Sequence, residues 1–363
     1  MEMINKIFAL MAAILLISLI STGCVDNNDD YGDYIVVTDI LDREVTVPAD
    51  VNRIVGVASG AVRMISYLDA TDLIVGVENF EHRGKISPYQ FANPGLSELP
   101  DIGPQHGGDA EMILAQEPDV IFYSCSQVDP ASEETMNNLQ TKTGIPVIAI
   151  DLGDLDARKD VFYSSLRLMA VILAREERAE DIIIFVDGIL EDLDQRTKSI
   201  PETDKPAVYI GGVALRGAQD ILSTRASYPP FEYTNSKNVA EELGTGHAFI
   251  DKEKLLEWDP EVLFIDSGSY ENVIDGIRGD ASYQVLQAIE NGELYTLLPY
   301  NRYNINHATV LANAYYVGLM LYPEQFSDID IAVQADVIYE EMLGMPVYSD
   351  MAHIAYGFGR VEL

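Results

Sequence analysis

Basic residues are scarce in this 363-residue chain, and the places where they fall suggest chemistry. Lys and Arg number 23 against 59 Asp and Glu, a formal net charge of −36. Yet Arg83, Arg216, Arg225 and Arg302 all lie in polar loops between predicted strands and helices, as do four of the five histidines, His82, His106, His247 and His307. Arginines placed in the loops of an acidic protein point to an anionic ligand held by forked, charge-assisted hydrogen bonds. Tyr228, Tyr233, Tyr270, Tyr300 and Tyr303 share these loops and offer rings that stack on a chelate or macrocycle. Ser59, Gln105 and Cys125-Ser126 follow or adjoin strand ends in the same way. The alternative for each residue taken singly is ordinary packing between two lobes.

Other chemistries find less support. Four loop histidines with Asp or Glu could hold zinc, manganese or iron, but no two have a short ligand spacing. There is no P-loop, no G-x-S-x-G, no H-E-x-x-H and no C-x-x-C. Gly211-Gly212 lacks the rest of a dinucleotide fingerprint. Cys125 with His106 or His82 would make a nucleophile pair, but a packed thiol is the simpler reading. An enzyme is therefore the least favoured reading of these residues.

The elements that position these loops alternate between strands and helices. A hairpin is predicted over Tyr34 to Val47, with its turn near Leu41-Asp42-Arg43. Strands follow at Arg53 to Ala58, Leu73 to Val77, Asp119 to Tyr123 and Ile145 to Ile150. Between them lie a helix after Ser59-Gly60, a long loop from Glu78 to Gly108, a helix N-capped by Asp109, one over Pro130 to Lys142 and one over Asp154 to Ala174. The second half repeats the order, with strands at Ala207 to Gly211, Glu261 to Asp266 and Leu294 to Leu298. Its helices are predicted at Val239 to Leu243, Lys252 to Trp258, Ala281 to Glu290, Thr309 to Leu321 and Asp330 to Leu343, with a long loop over Gly212 to Asn238. Such alternation predicts parallel α/β sheets.

The repeat is visible in letters. Glu111 to Phe122 (EMILAQEPDVIF) matches Glu253 to Phe264 (EKLLEWDPEVLF), with Glu111 and Glu253, and Pro118 and Pro260, both 142 residues apart. Between the copies runs Arg175 to Ile200, apolar at Ile182, Phe185, Val186, Ile189 and Leu193, the spacing of one helical face. It reads as a strut of roughly 35 Å joining two lobes, with Gly188 its one soft point.

Hydrophobic residues make up 48%, enough for a full core. The acidity excludes nucleic acid and anionic membrane surfaces as partners. Ile7 to Ile20 is an apolar run of a length suited to an export signal, followed by Ser21-Thr22-Gly23-Cys24. Small residues before a cysteine resemble a lipoprotein signal, which makes Cys24 the expected lipid anchor. The expected organisation is 1–24 signal, 25–34 flexible tether, 35–174 first lobe, 175–203 connecting helix, 204–344 second lobe and 345–363 tail.

With these pieces assembled, the chain resembles the substrate-binding proteins of ABC importers for iron–siderophore complexes, haem and vitamin B12. The resemblance rests on Arg53-Ile54-Val55, Leu73-Ile74-Val75-Gly76-Val77, Leu99-Pro100-Asp101-Ile102-Gly103, and Glu111 with Glu117-Pro118-Asp119-Val120-Ile121. It continues through Gly144-Ile145-Pro146-Val147, the run from Arg175 and Lys205-Pro206-Ala207-Val208-Tyr209. It implies two Rossmann-like α/β lobes joined by one long α-helix, with ligand in the cleft between them. The ligand-binding residues it implies are Ser59, Arg83, Gln105, His106, Arg216, Arg225, Tyr233, His247, Arg302 and Tyr303. It also implies that Glu111 and Glu253 dock on arginines of the permease; first-turn helix acids favoured by the macrodipole are the plain alternative. The implied function is delivery of an iron chelate from outside the cytoplasm to a permease and its ATPase, by a lipid-anchored monomer with no cofactor beyond iron in the ligand. Corrinoid, haem or a bare metal ion are alternatives. Where the family often carries Thr-Glu in its first helix this chain has Val62-Arg63, and Gln105 and His247 stand where the vitamin B12 binder has tryptophans, so a corrinoid is disfavoured.

Overall fold

The computed structural model describes residues 34–125 and 130–363. The signal, Cys24, most of the tether and Ser126 lie outside the described residues.

The expected hairpin forms from β1 (Tyr34–Thr38) and β2 (Glu44–Pro48), with Asp42 left-handed in its turn. The first lobe is a parallel sheet of β3 (Ile54–Val57), β4 (Ile74–Gly76), β5 (Val120–Ser124) and β6 (Val147–Ile150), in the order β4-β3-β5-β6. β3, β5 and β6 are buried throughout, the pattern of a sheet covered on both faces. Its helices are α1 (Ala61–Tyr67), α2 (Pro88–Ala92), α3 (Ala110–Leu114), α4 (Pro130–Thr143) and α5 (Lys159–Leu173). α2 interrupts the loop expected from Glu78 to Gly108; Gln90 Oε1 accepts the N–H groups of Ile86 and Ser87 at its start, where Pro88 opens the helix. α5 begins five residues later than expected, because Asp151 and Asp154 accept backbone N–H groups and hold 151–158 as a turn.

The strut is α6 (Glu176–Thr197), set off from α5 by left-handed Ala174. Ala179, Ile182, Ile183, Val186, Ile189 and Leu193 are buried. The helix is therefore not free-standing. Tyr163 bonds Asp187 from α5, and Arg196 bonds Asp328 from the second half. Gly188 has open space around it.

The second lobe has a sheet ordered β13-β12-β11-β7-β9. Its members are β7 (Ala207–Gly211), β9 (Lys237–Asn238), β11 (Val262–Asp266), β12 (Leu294–Leu297) and the antiparallel edge strand β13 (Gly359–Arg360). A separate antiparallel ladder joins β8 (Ser223–Arg225) to β10 (His247–Phe249). The helices are α7 (Pro229–Tyr233), α8 (Lys252–Trp258), α9 (Tyr270–Gly279), α10 (Gln287–Glu290), α11 (His307–Leu321), α12 (Ile331–Leu343) and α13 (Tyr348–Ile354). Several features differ from expectation. β8, α7 and β9 fall inside the loop predicted over Gly212 to Asn238, Val239–Leu243 winds as a 3₁₀ helix, the helix predicted over Ala281 to Glu290 breaks at Leu286 into a 3₁₀ helix and α10, and α9 follows β11 where no helix was predicted. The tail, left open by the sequence, is packed. α13 lies against α2 and α12, and Phe358 stacks between Tyr316 and Tyr348. α12 packs against α1, α2 and α6 as well as α11. One hydrophobic core therefore runs from Ile54 and Ile65 through Val186 to Val310 and Ile338.

Candidate functional site

The loops expected to carry the site leave the carboxyl ends of the parallel strands, where α/β sheets place ligands. The first residue to place is one the sequence reading named only as a departure from the family pattern, at Val62-Arg63. Arg63 sits in the middle of α1 and is 1% exposed. Its Nη1 donates to the Ile305 carbonyl (2.7 Å), and its Nη2 to those of Arg302 (3.0 Å) and Tyr303 (3.1 Å). Tyr89 lies 5.1 Å from its guanidinium and the buried Glu81 balances its charge. A guanidinium buried in an apolar helix must find acceptors, and here both Nη atoms find them on a strap of the second lobe, residues 300–307, while Nε stays without a partner.

That strap is a tight turn, with Asn301 bridged to Ile305 and both Tyr303 and Asn304 left-handed. It crosses onto the first lobe at five further points. The Tyr303 hydroxyl donates to Glu78 Oε2 (2.5 Å), while Glu78 Oε1 accepts from the N–H groups of Ala58 (3.0 Å) and Gly107 (2.7 Å). The Tyr303 ring stacks on Phe80 at 3.9 Å, and its hydroxyl accepts from the His106 N–H (3.2 Å). Asn304 Nδ2 donates to the Ser59 carbonyl (3.2 Å). His307 Nε2 donates to the Leu152 carbonyl (2.9 Å), and burial drives this imidazole's pKa down to about 4. Leu152 is itself close to Gly60, where a Cβ would meet its Cδ1 at 2.2 Å and φ is +100°; only glycine fits there.

The second-lobe side of the cleft holds the charge. Arg225 ends β8, opposite His247 in the ladder, and its Nε donates to the Ser227 carbonyl (2.8 Å). Tyr228 and Tyr300 are fully buried, in edge-to-face contact at 5.6 Å, and both hydroxyls lack a hydrogen-bond partner. Both lie in the field of Arg225 and of the Asp266 carboxylate. Asp266 ends β11 and is 1% exposed; Oδ1 accepts from the Gly268 N–H (2.9 Å) and Oδ2 has no partner. Ser267 Oγ is likewise buried and unpartnered. Arg302 reaches back from the strap toward Asp266, and burial lowers its pKa from the ordinary arginine value.

The remaining expected residues spread around this centre. Gln105 bonds His106 (3.3 Å), and its Oε1 is buried without a partner. Tyr233 also buries an unpartnered hydroxyl, in the field of Asp154, Asp156 and Arg225. His247 bonds Ser223 Oγ (2.8 Å), and burial lowers its pKa. Arg83 is exposed on Asn79 (3.2 Å), and Arg216 is exposed in a left-handed turn. The four histidines proposed as direct metal ligands do not converge. His82 bonds the Ser97 carbonyl, and among the described residues no group of three His, Cys, Asp or Glu is placed to hold a metal ion. Cys125 is buried, and burial pushes its thiol up to about 12, unsuited to a nucleophile.

Glu111 and Glu253 occupy matching places. Each is an exposed first-turn residue of a short helix after a capping aspartate, Asp109 or Asp251. A hollow of about 580 Å³ lined by His106, Glu111, Tyr123, Asn138 and Lys142 opens beside Glu111, and neither Arg225 nor Arg302 lines it. Among the described residues no helix is long and apolar enough to cross a membrane.

Comparison with known proteins agrees with this architecture. The family model described as "Periplasmic binding protein" matches residues 54–300. The molybdate-binding protein MolA of Haemophilus influenzae is 24% identical over 355 residues, spanning 93% of this chain and 96% of that protein. The Fe(3+)-citrate-binding protein YfmC of Bacillus subtilis is 22% identical over 310 residues, 80% of this chain and 89% of its own. The solved structure of molybdate-bound MolA superposes with a TM-score of 0.66 at 21% identity, covering 86% of this chain and 98% of that one. The TroA-like periplasmic binding protein FepB of Veillonella parvula gives 0.61 at 19% identity, covering 86% and 97%. These structures share the fold of two α/β lobes.

Proposed function

Because the chain belongs to the periplasmic binding protein family, we propose that it captures a compact anion between its lobes and hands it to the permease of an ABC importer. It is an extracytoplasmic solute-binding protein, and members of this family bind their ligands without a cofactor. One observation carries the ligand class. Arg225 faces the buried, unpartnered hydroxyls of Tyr228 and Tyr300, and Arg302 faces Asp266, which in turn faces both tyrosines. Donors of this kind, held away from water, suit an oxyanion or carboxylate. In a chain with a net charge of −36, two arginines on the strap and β8 also place positive charge in a repulsive field.

Two ligands share this chemistry. A free oxyanion comes first, because the strap already bridges the lobes and leaves less room for a large chelate; the Haemophilus relative is named for molybdate. An iron chelate, favoured from the sequence, comes second, since its carboxylates would use the same arginines; the Bacillus relative is named for Fe(3+)-citrate. Ser59, Arg83, Gln105, His106, Arg216, Tyr233, His247 and Tyr303 complete the proposed cleft. Glu111 and Glu253 are the proposed permease contacts, and Cys24 the proposed anchor. Titration calorimetry of the mature chain against molybdate, sulfate, ferric citrate and a ferric siderophore tests the ligand. Micromolar or tighter binding of an anion supports the reading. Binding of free Zn²⁺ or Mn²⁺ with no response to any anion overturns it.

A further inference from the structure

Asp266 is a buried carboxyl that the ligand reading leaves without a task. It closes β11 at the end facing the cleft, with one oxygen tied to the Gly268 N–H and the other unpartnered. The groups that face it come from four elements. Arg302 and Tyr300 belong to the strap, Tyr228 caps α7, and the loop after β7 offers only the Ala214 backbone. Arg225, on β8, faces the same two tyrosines from the other side. Of these groups Asp266 alone changes charge near neutral pH, because both tyrosine hydroxyls are raised by burial and both arginines stay cationic.

The charge count then has a consequence. Two arginines and an ionised Asp266 leave a surplus of one positive charge, which a monoanion would neutralise. A dianion leaves one negative charge uncompensated in a water-poor site, and such a charge is removed by protonation. We infer that the site takes up one proton with each dianion, at the Asp266 carboxyl, so that Asp266 sets the charge of the ligand this protein accepts. This rests on the reading of the cleft as an anion site. The proton comes from bulk water and lands on the free oxygen, Oδ2; no other bond is made or broken. The carboxyl is poised for it, since burial has already brought its pKa up to about 7 and a neighbouring anion pushes it further up. Once protonated, Oδ2–H is a donor, as the unpartnered tyrosine hydroxyls and the ligand oxygens require.

The test is calorimetry of the full mature chain with sodium molybdate, and with ferric citrate in parallel, from pH 6.5 to 8.5. Runs at pH 7.5 in HEPES and in Tris report proton uptake through their different ionisation heats. Expected are uptake of about half to one proton per molybdate and a Kd that rises toward tenfold per pH unit above about pH 7.5. Asp266→Asn removes both the uptake and the slope. His247, opposite Arg225 in the ladder, has its pKa lowered by burial, but a bound anion would raise it, so His247→Gln must keep the slope whatever its affinity. A slope lost with His247→Gln moves the proton to the imidazole and overturns the assignment. Wild-type molybdate binding with a flat profile and no uptake overturns the inference while leaving the anion site standing, and it needs no variant to fold. No binding of either probe at any pH overturns the anion reading itself, and this inference with it.

Discussion

Replacing Arg63 with Met removes the donors that hold the strap while nearly conserving volume. Three N–H···O bonds from a charged group are lost, each worth about 1.5–3 kcal/mol where the acceptor has no substitute. Residues 302, 303 and 305 are only half-buried, so water re-satisfies part of those carbonyls, and a buried charge no longer has to be desolvated. The net expectation is a loss of about 3 kcal/mol, well below the additive sum. With about 2.1 cal/mol/K per residue over ~330 residues, unfolding carries ~0.7 kcal/mol/K, so the melting temperature falls by roughly 4 °C. The strap also positions Arg302 and Tyr303, so affinity for the best-binding anion drops by at least about tenfold. Urea unfolding and calorimetry on the same preparation read both numbers. Arg63→Lys, with one compact ammonium in place of the fork, falls between. A stability loss under about 1 kcal/mol together with unchanged affinity would refute the staple.

Three further outcomes follow from the same geometry. Tyr303→Phe keeps the stack on Phe80 but strips Glu78 of one of its three donors, costing about 1–2 kcal/mol in urea unfolding; no measurable cost would show that water replaces the hydroxyl. His307 has a folded pKa of about 4 against an ordinary value near 6.5. Protonation therefore favours the unfolded chain, and stability present above pH 6.5 is lost as the pH falls towards 4. Between pH 7 and pH 5 this amounts to about 2 kcal/mol, and His307→Gln should flatten that interval of the stability profile. Glu111→Ala combined with Glu253→Ala should abolish ligand-stimulated ATPase activity in a reconstituted importer while leaving calorimetric affinity within about twofold; loss of ligand binding would show that the two glutamates belong to the cleft.

Much of the frame was legible because it obeys local rules. β7 and α8 fall on their expected residues, since Pro206 and the capping Asp251 punctuate them, and Asp109 caps α3 as its position suggested. α2 and α7 were missed because each is barely more than one turn and opens on proline inside a polar stretch. α9 was missed because Gly276 and Gly279 blur its period, although Val273, Ile274 and Ile277 form a buried face. Among the proposed site residues, the arginines stood out by their scarcity and the tyrosines by their loops. Arg63 and Asp266 did not, because their contacts join distant segments. The signal for Arg63 was present as one charge inside the apolar run from Ala61 to Leu68, a placement that demands distant partners.

The helices that close the chain bear on how it is made. α11 to α13 complete a core that begins at β3, so the first half lacks part of its apolar covering until the last residues are available. A polypeptide emerging amino end first cannot finish its leading lobe on the way. Contacts spanning nearly the whole length also slow the final collapse. A truncation that removes α12 and α13 would therefore fail at the opposite end from the cut, exposing the apolar sides of α1 and α2.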